Sequence, residues 1–213
     1  MSAALRSDLR LIADFIPSGS RVLDIGCGAG ELLAWLVRER GVDARGLEMN
    51  QQQVSHCVAA GLSVVQGDAG QDLSYYPDQS YDYVILSRTL QAMQDPRAVL
   101  AELVRIGQHT IVSVPNFAYW KNRLYLTLRG RMPVTQTLVH EWYNTPNIHF
   151  CTLRDLRLLC EEMGIIIERC INMTHRGEAS WFSGSNRLSN LLAEQGVFML
   201  RQSGGSRHAP HVT

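Results

Sequence analysis

The sequence predicts an α/β fold, a doubly wound and mostly parallel Rossmann-like sheet, and three observations carry that expectation. Short apolar runs alternate with segments of helical periodicity along most of the chain. The connections between them are short and polar, the pattern of a parallel sheet covered on both faces. A glycine-rich loop joins the first strand directly to a helix.

Each element has its own warrant. Val22-Leu23-Asp24-Ile25 reads as the first strand, and Glu31 to Arg40 as a helix, because Leu32, Leu33, Trp35, Leu36 and Val37 fall at helical spacing. Ala44 to Met49 is the second strand. Gln51 to Ala60 is a helix stopped by Gly61, since glycine enters the left-handed region without a Cβ clash. Leu62 to Gln66 and Tyr83 to Leu86 are the third and fourth strands. The next helix begins near Asp95-Pro96-Arg97, where Asp caps and Pro fits the first turn. Thr110 to Val114 is the fifth strand, ended by Pro115. There the rhythm breaks, and residues from about 116 to 150 read as a lid insertion over the carboxyl ends of the strands. Thr152 to Met163 is a helix closed by Gly164, Ile165 to Ile171 a strand, and Gly196 to Arg201 supplies the last. A single domain over residues 1–201 is expected, with 202–213 as a polar, flexible tail.

Composition excludes several function classes. The chain has 213 residues, 46% apolar and 19% charged, which rules out a disordered or collagen-like protein. Its 20 basic and 20 acidic side chains balance, leaving no global field to hold a polyanion, so no nucleic acid is expected. Arg6, Asp8, Arg10 and Asp14 interrupt the N-terminal stretch and no run is long enough to span a bilayer, so no membrane and a cytoplasmic location are expected. The five cysteines contain no C-x-x-C pair, which argues against a disulfide framework and a zinc site, and no metal is expected.

The strongest constellation is the strand Val22 to Ile25 running into Gly26-Cys27-Gly28-Ala29-Gly30 and then a helix. Glycines let the backbone approach a ligand, and the helix N-terminus offers free N–H groups. The nicotinamide fingerprint would need glycine where Glu31 or Leu33 stands, so a pyrophosphate does not fit. Glu48 ends the second strand about 20 residues on, where a carboxylate can take both ribose hydroxyls. Asp68, in Gln66-Gly67-Asp68-Ala69, can accept from an adenine amine while the Ala69 N–H donates to the ring. Together these features specify an adenosine without a pyrophosphate.

Aspartate-isoleucine-glycine-cysteine-glycine-alanine-glycine from Asp24, the acid at Glu48 and the Gly67-Asp68-Ala69 run resemble the S-adenosylmethionine site of class I methyltransferases. The resemblance implies S-adenosylmethionine or S-adenosylhomocysteine as cofactor. It assigns the methionine end to Asp24 with Gly26, Gly28 and Gly30, the ribose to Glu48, the adenine to Asp68, and includes Met49, Ala69 and Ser87 in the site.

A catalyst should come from the ends of the fourth and fifth strands or from the lid. The fourth strand delivers Ser87, Arg88, Thr89 and Gln91, which do not resemble the Asn/Asp-Pro-Pro-aromatic motif of DNA amino-methylating enzymes. His140, Glu141, Tyr143, His149 and Asn116 could each serve as a base. No triad forms among them, His149 is read as fastening the lid, and no catalytic residue is assigned.

The 38 positions between Glu102 and Glu141 contain no acid, while Arg105, Lys121, Arg123, Arg129 and Arg131 fall there. Tyr119, Trp120, Leu124, Tyr125 and Leu128 interleave with those charges at roughly helical spacing. Three readings stay open: a helix packing its apolar face on the sheet, a protein-docking surface, or a small nucleic-acid groove. Ser113-Val114-Pro115-Asn116-Phe117, Trp120, Gly130 to Thr135, and Trp142 to His149 resemble the bacterial methionine-biosynthesis family MetW, over about Asp8 to Arg201. The resemblance implies a methyltransferase-like protein that associates with homoserine O-acyltransferase (MetX) and supports its activity. The lid, with Trp120 and Arg123, is the candidate contact. The alternative is a methyltransferase acting on a small molecule.

Overall fold

A computed structural model describes residues 5–135, 138–174 and 187–203. Seven strands, β1 (Arg21–Ile25), β2 (Asp43–Glu48), β3 (Ser63–Gln66), β4 (Tyr81–Ser87), β5 (Gly107–Pro115), β6 (Ile165–Met173) and β7 (Gln195–Gln202), form one sheet. Its order is β3-β2-β1-β4-β5-β7-β6. Only β7 runs against the rest, inserted antiparallel between β5 and β6. Met49 falls just beyond β2 and Leu62 just before β3, while the other strands extend past their expected ends.

Side chains of the central strands alternate between two cores, as a strand period of two requires. Leu23, Val84, Leu86, Val112 and Phe198 join one, together with Leu100 and Leu103. Val22, Ile85, Ile111 and Val197 join the other, together with Leu33 and Leu36. Burial on both faces is why these strands read as continuous apolar runs.

The helices are α1 (Ser7–Asp14), α2 (Glu31–Arg40), α3 (Gln51–Ala59), the short α4 (Ala69–Asp72), α5 (Pro96–Ile106), α6 (Trp120–Arg129), α7 (Leu153–Glu162) and α8 (Arg187–Leu192). The Asp95 side chain accepts from Ala98 N–H at α5, and Thr152 forms a reciprocal capping box with Asp155 at α7. Neither α1 nor α8 was expected from the sequence. α1 buries Leu9, Ile12 and Ala13 against the sheet despite its charges.

The segment from 116 to 150 returns to the carboxyl edge of the sheet. Asn116 is buried, its Nδ2 donating to Asn190 O and Ala193 O at 2.8 and 2.7 Å and its Oδ1 accepting from Ala118 N–H. The rings of Phe117 and Phe150 meet at 4.8 Å. Within this segment α6 does not pack its apolar side on the sheet: its buried residue is Asn122, whereas Trp120, Leu124, Leu126 and Leu128 are exposed. The tail expected from 202 onward lies, beyond Ser203, outside the described residues. Among the described residues no helix is long and apolar enough to cross a membrane, and no cluster of His, Cys, Asp and Glu is placed to hold a metal.

Candidate cofactor site

The loop after β1 is built by backbone conformation. Gly26, Gly28 and Gly30 all lie in the left-handed region, with φ of 67°, 54° and 76°. The turn so formed aims two N–H groups back at β2: Gly26 donates to Leu47 O at 2.7 Å, and Gly28 donates to Glu48 Oε2 at 2.9 Å. The other oxygen of Glu48 accepts from Asn50 N–H at 2.8 Å. A carboxylate offers about four lone-pair sites, so this one keeps acceptor capacity for a ligand while fixing the loop.

The three glycines are not equivalent. A Cβ at Gly30 would lie 2.6 Å from Leu62 Cδ1 and 2.9 Å from Cys57 Sγ, whereas one at Gly28 would meet nothing within 4 Å. Gly28 borders the cleft described below, so the space beside it is open cavity. Gly30→Ala is expected to lower stability by about 2 kcal/mol or more through overpacking and strain. Gly28→Ala, strained by its positive φ but meeting no neighbouring atom, is expected to lose only about 1 kcal/mol of stability and to lose ligand affinity. Thermal melts of both variants beside a cofactor titration check the pair; equal destabilisation of the two would refute it.

Sheet order places the sequence-derived acids in a row. β3, β2, β1 and β4 are neighbours, and their carboxyl ends carry Asp68, Glu48, Asp24 with the glycine loop, and Ser87 in turn. Neighbouring strands stand about 4.8 Å apart, so the row runs roughly 14 Å, the span of a nucleoside extended by an amino-acid tail. Met49 follows Glu48 and is 63% exposed, an apolar surface beside that carboxylate. Asp68 caps α4, its Oδ1 accepting from Gly70 N–H at 2.8 Å and its Oδ2 from Gln71 Nε2 at 3.2 Å, so Ala69 begins that helix.

On the β1–β4 side of the row opens a cleft of about 390 Å³. Asp24, Gly26, Gly28 and Ser87 contribute from the strand ends, Arg88 and Gln91 from the turn after β4, and Val139, His140, Pro146 and Asn147 from the 116–150 segment. Arg6 and Leu9 complete it from the start of the chain. Glu48, Met49, Asp68 and Ala69 do not border this cavity; they form a partly exposed ledge beside it. The site therefore has two halves, a ledge of acids and a deeper cleft.

Asp24 is the unusual group. It is 3% exposed and borders the cleft. Burial, then the charge of Glu48, pushes its pKa up to about 7. A buried acceptor of that kind calls for a cation with N–H groups. Cys27, in the loop itself, is held as a neutral thiol by burial and by the nearby Asp24, so it is not poised as a nucleophile.

The base candidates separate by position. Asn116 is a structural clamp. His149 donates its backbone N–H to Gln91 O at 3.0 Å and places Nε2 3.3 Å from Gln94 O, so it fastens the segment. His140 borders the cleft, whereas Glu141 and Tyr143 do not. The sequence reading missed the two cleft residues before β1, Arg6 and Leu9. The one available signal was the Leu9, Ile12, Ile16 spacing in a stretch broken by charges.

Comparison with known proteins places this architecture. The family model described as methionine biosynthesis protein MetW matches residues 6–200. A bifunctional methionine biosynthesis protein MetXA/MetW from Rhodopirellula baltica is 37% identical over 174 residues, 77% of this chain and 28% of that protein. A ubiquinone biosynthesis O-methyltransferase of Photorhabdus laumondii is 36% identical over 107 residues, 46% of this chain and 44% of that one. This chain thus matches less than half the length of either relative. Among solved structures, a methyltransferase of Thermotoga maritima described as S-adenosylmethionine-dependent and a possible histamine N-methyltransferase superposes with a TM-score of 0.66 at 18% identity, covering 92% of this chain and 88% of that one. At that identity the likeness shows the fold.

Proposed function

This chain belongs to the methionine biosynthesis protein MetW family, and from that premise we propose that it binds S-adenosylmethionine or S-adenosylhomocysteine and activates homoserine O-acyltransferase (MetX) in the cytoplasm. The observation that carries the cofactor reading is the row of Asp68, Glu48 and Asp24 at the ends of consecutive strands, the last of them 3% exposed and bordering the cleft. In this reading Asp68 and Ala69 take the adenine, Glu48 the ribose beside Met49, and Asp24, Gly26, Gly28, Gly30 and Ser87 the methionine end. When bound, the cofactor supplies an electrophilic methyl group. This chain's residues bind and orient it, and segment 116–150 acts as the lid that limits water.

The partner reading is supported by the relative in which a MetX name and a MetW name share one chain. Covalent fusion of two modules raises their mutual concentration and is informative when the modules work together. It is also supported by α6, which leaves Trp120 40% and Leu128 74% exposed among Lys121, Arg123 and Arg129. Aromatic and arginine side chains are the usual anchors of an interface. Arg123 Nε donates to Ala118 O at 2.6 Å, which holds the turn into α6 and presents Trp120. We assign the contact to this face, including Trp120 and Arg123.

The test is co-purification with the acyltransferase and its assay with and without this protein. A complex and a several-fold gain in acyl transfer are expected. Trp120→Ala combined with Arg123→Ala should weaken the complex by about 10- to 30-fold, the range of an interface anchor, and leave cofactor affinity unchanged. An acyltransferase that is fully active alone and forms no complex sinks the subunit reading. The cleft, with His140 on its wall, favours the alternative of methyl transfer to a small molecule, and transfer of labelled methyl in the absence of the acyltransferase would decide for it.

A further inference from the structure

We propose that α6 docks as a helix laid in a groove, with Trp120, Leu124 and Leu128 entering an apolar trough on the acyltransferase whose rims carry carboxylates. The inference rests on the subunit reading above and adds to it which residues enter the partner and the chemistry of the surface that receives them.

α6 is fastened at its first turn. Tyr119 is buried, and the buried Asn122 donates from Nδ2 to Asn116 O at 3.3 Å and to Phe117 O at 3.5 Å. Gly130 closes the far end in the left-handed region, with φ of 58°. At about 100° per residue, Trp120, Leu124 and Leu128 drift by about 40° per step along one side, and Asn122 falls about 160° from Leu124. The apolar stripe therefore faces away from the body of the protein. Leu124 is 47% and Leu128 74% exposed. The three side chains span about 12 Å along the axis, the repeating anchor pattern that an amphipathic helix offers to a groove. A helix of ten residues gains little from propensity alone and takes its stability from packing of its apolar face, so a covering surface would complete it.

Charge decides what kind of surface that is. By the same spacing Arg123 borders the stripe on one side and Lys121 on the other, and Arg129 and Arg131 follow at the end of the helix; all four are exposed. No acidic residue occurs from position 103 to 140. Within the chain these cations meet rings and a carbonyl. Lys121 Nζ lies 5.9 and 5.7 Å from the ring centroids of Tyr119 and Trp120, Arg129 lies over Tyr125 at 5.8 Å, and Arg123 Nε donates to Ala118 O at 2.6 Å. A chain whose 20 basic and 20 acidic side chains balance thus gathers four cations around one apolar ridge. A second copy of this chain would set cations against cations, and like charges across an interface are costly. A nucleic-acid backbone would match the charges and leave the leucines in water. A trough that is apolar at its floor and acidic at its rims matches both features.

The experiment is a calorimetric titration of the acyltransferase with wild type, Leu128→Ser, Lys121→Glu and Val58→Ser at low and high salt. Leu128→Ser should weaken the complex by about 10- to 100-fold, the loss of one leucine side chain buried on docking. Lys121→Glu should weaken it by about fivefold or more at low salt and by less at high salt, because charges at a rim are screened. Val58 lies on α3 and is 56% exposed, so Val58→Ser removes an apolar side chain elsewhere on the surface and should bind as wild type does. Leu128 and Lys121 are exposed, and thermal melts of their variants should match wild type. Wild-type affinity in Leu128→Ser or in Lys121→Glu, or equal weakening by Val58→Ser, overturns the groove while the subunit reading stands. Absence of any complex with wild type removes both. Binding to phosphatidylserine vesicles that Leu128→Ser abolishes, beside an unchanged acyltransferase complex, assigns the ridge to an anionic membrane and overturns the proposal.

Discussion

Asp24→Asn is expected to yield a protein that is more stable and no longer holds its cofactor. The aspartate lies at the end of β1 with 3% exposure and a pKa pushed from 3.8 up to about 7. The folded state thus binds this proton more tightly than the unfolded chain does. Between these two values the unfolded state carries fewer protons, so the slope of stability against pH is negative. The contribution is complete below about pH 4 and lost as pH rises to about 7, a swing of roughly 4 kcal/mol at one pKa unit per 1.36 kcal/mol. Asparagine removes the charge and so removes the swing. Urea melts at pH 5 and pH 8 should show wild type losing stability across that window and the variant gaining most at pH 8, by up to roughly 4 kcal/mol. Cofactor binding runs the other way, because an ammonium needs the ionised carboxylate. Affinity of wild type should rise with pH through about 7, and binding at pH 7 should release a fraction of a proton, seen as different heats in buffers of different ionisation enthalpy. A variant that is less stable at pH 8, or that binds with wild-type affinity, removes Asp24 from the methionine end.

That trade-off explains which parts of the molecule the sequence discloses. The glycine loop and the acid at Glu48 are legible because each is set by a local rule. Left-handed turns select glycine, strand ends point side chains at the carboxyl edge, and one βαβ unit separates Gly28 from the Glu48 oxygen 2.9 Å away. The antiparallel insertion of β7 is not legible. Its residues from Gln195 to Leu200 are all buried, and such a run carries no mark of its neighbours or direction. α1 is not legible because eight residues are too few to show a helix through three charges, and packing of Leu9, Ile12 and Ala13 on the sheet is what holds it. Arg88 is the sharpest case: nothing in Leu86-Ser87-Arg88-Thr89 announces a left-handed arginine, since the conformation is imposed by Ser113 on the adjacent strand. The amphipathic stretch around Trp120 was visible, but periodicity does not reveal which way a helix faces. The structure turns its apolar residues outward and buries Asn122.

Glu48 should show its dual attachment in a second large effect. Its carboxylate accepts from Gly28 N–H at 2.9 Å and Asn50 N–H at 2.8 Å, which leaves lone pairs for the ribose hydroxyls. Glu48→Ala is expected to weaken S-adenosylmethionine by about 10- to 100-fold, the value of hydrogen bonds to a charged group. Glu48→Gln should be nearly as damaging, because one acceptor oxygen becomes an NH₂ facing a backbone N–H. Two further readouts separate a ribose contact from a loosened loop. Wild type should discriminate S-adenosylhomocysteine from its 2′-deoxyribose analogue, and Glu48→Ala should not; a loop effect alone would weaken both and keep the ratio. The charge of Glu48 is also the second cause, after burial, of the raised Asp24 pKa. Removing it should shift the pH midpoint of cofactor binding below that of wild type, which couples the ribose end of the site to the methionine end through the field of one carboxylate. A midpoint unmoved in Glu48→Ala, with affinities equal to wild type, would place Glu48 outside the cofactor site altogether.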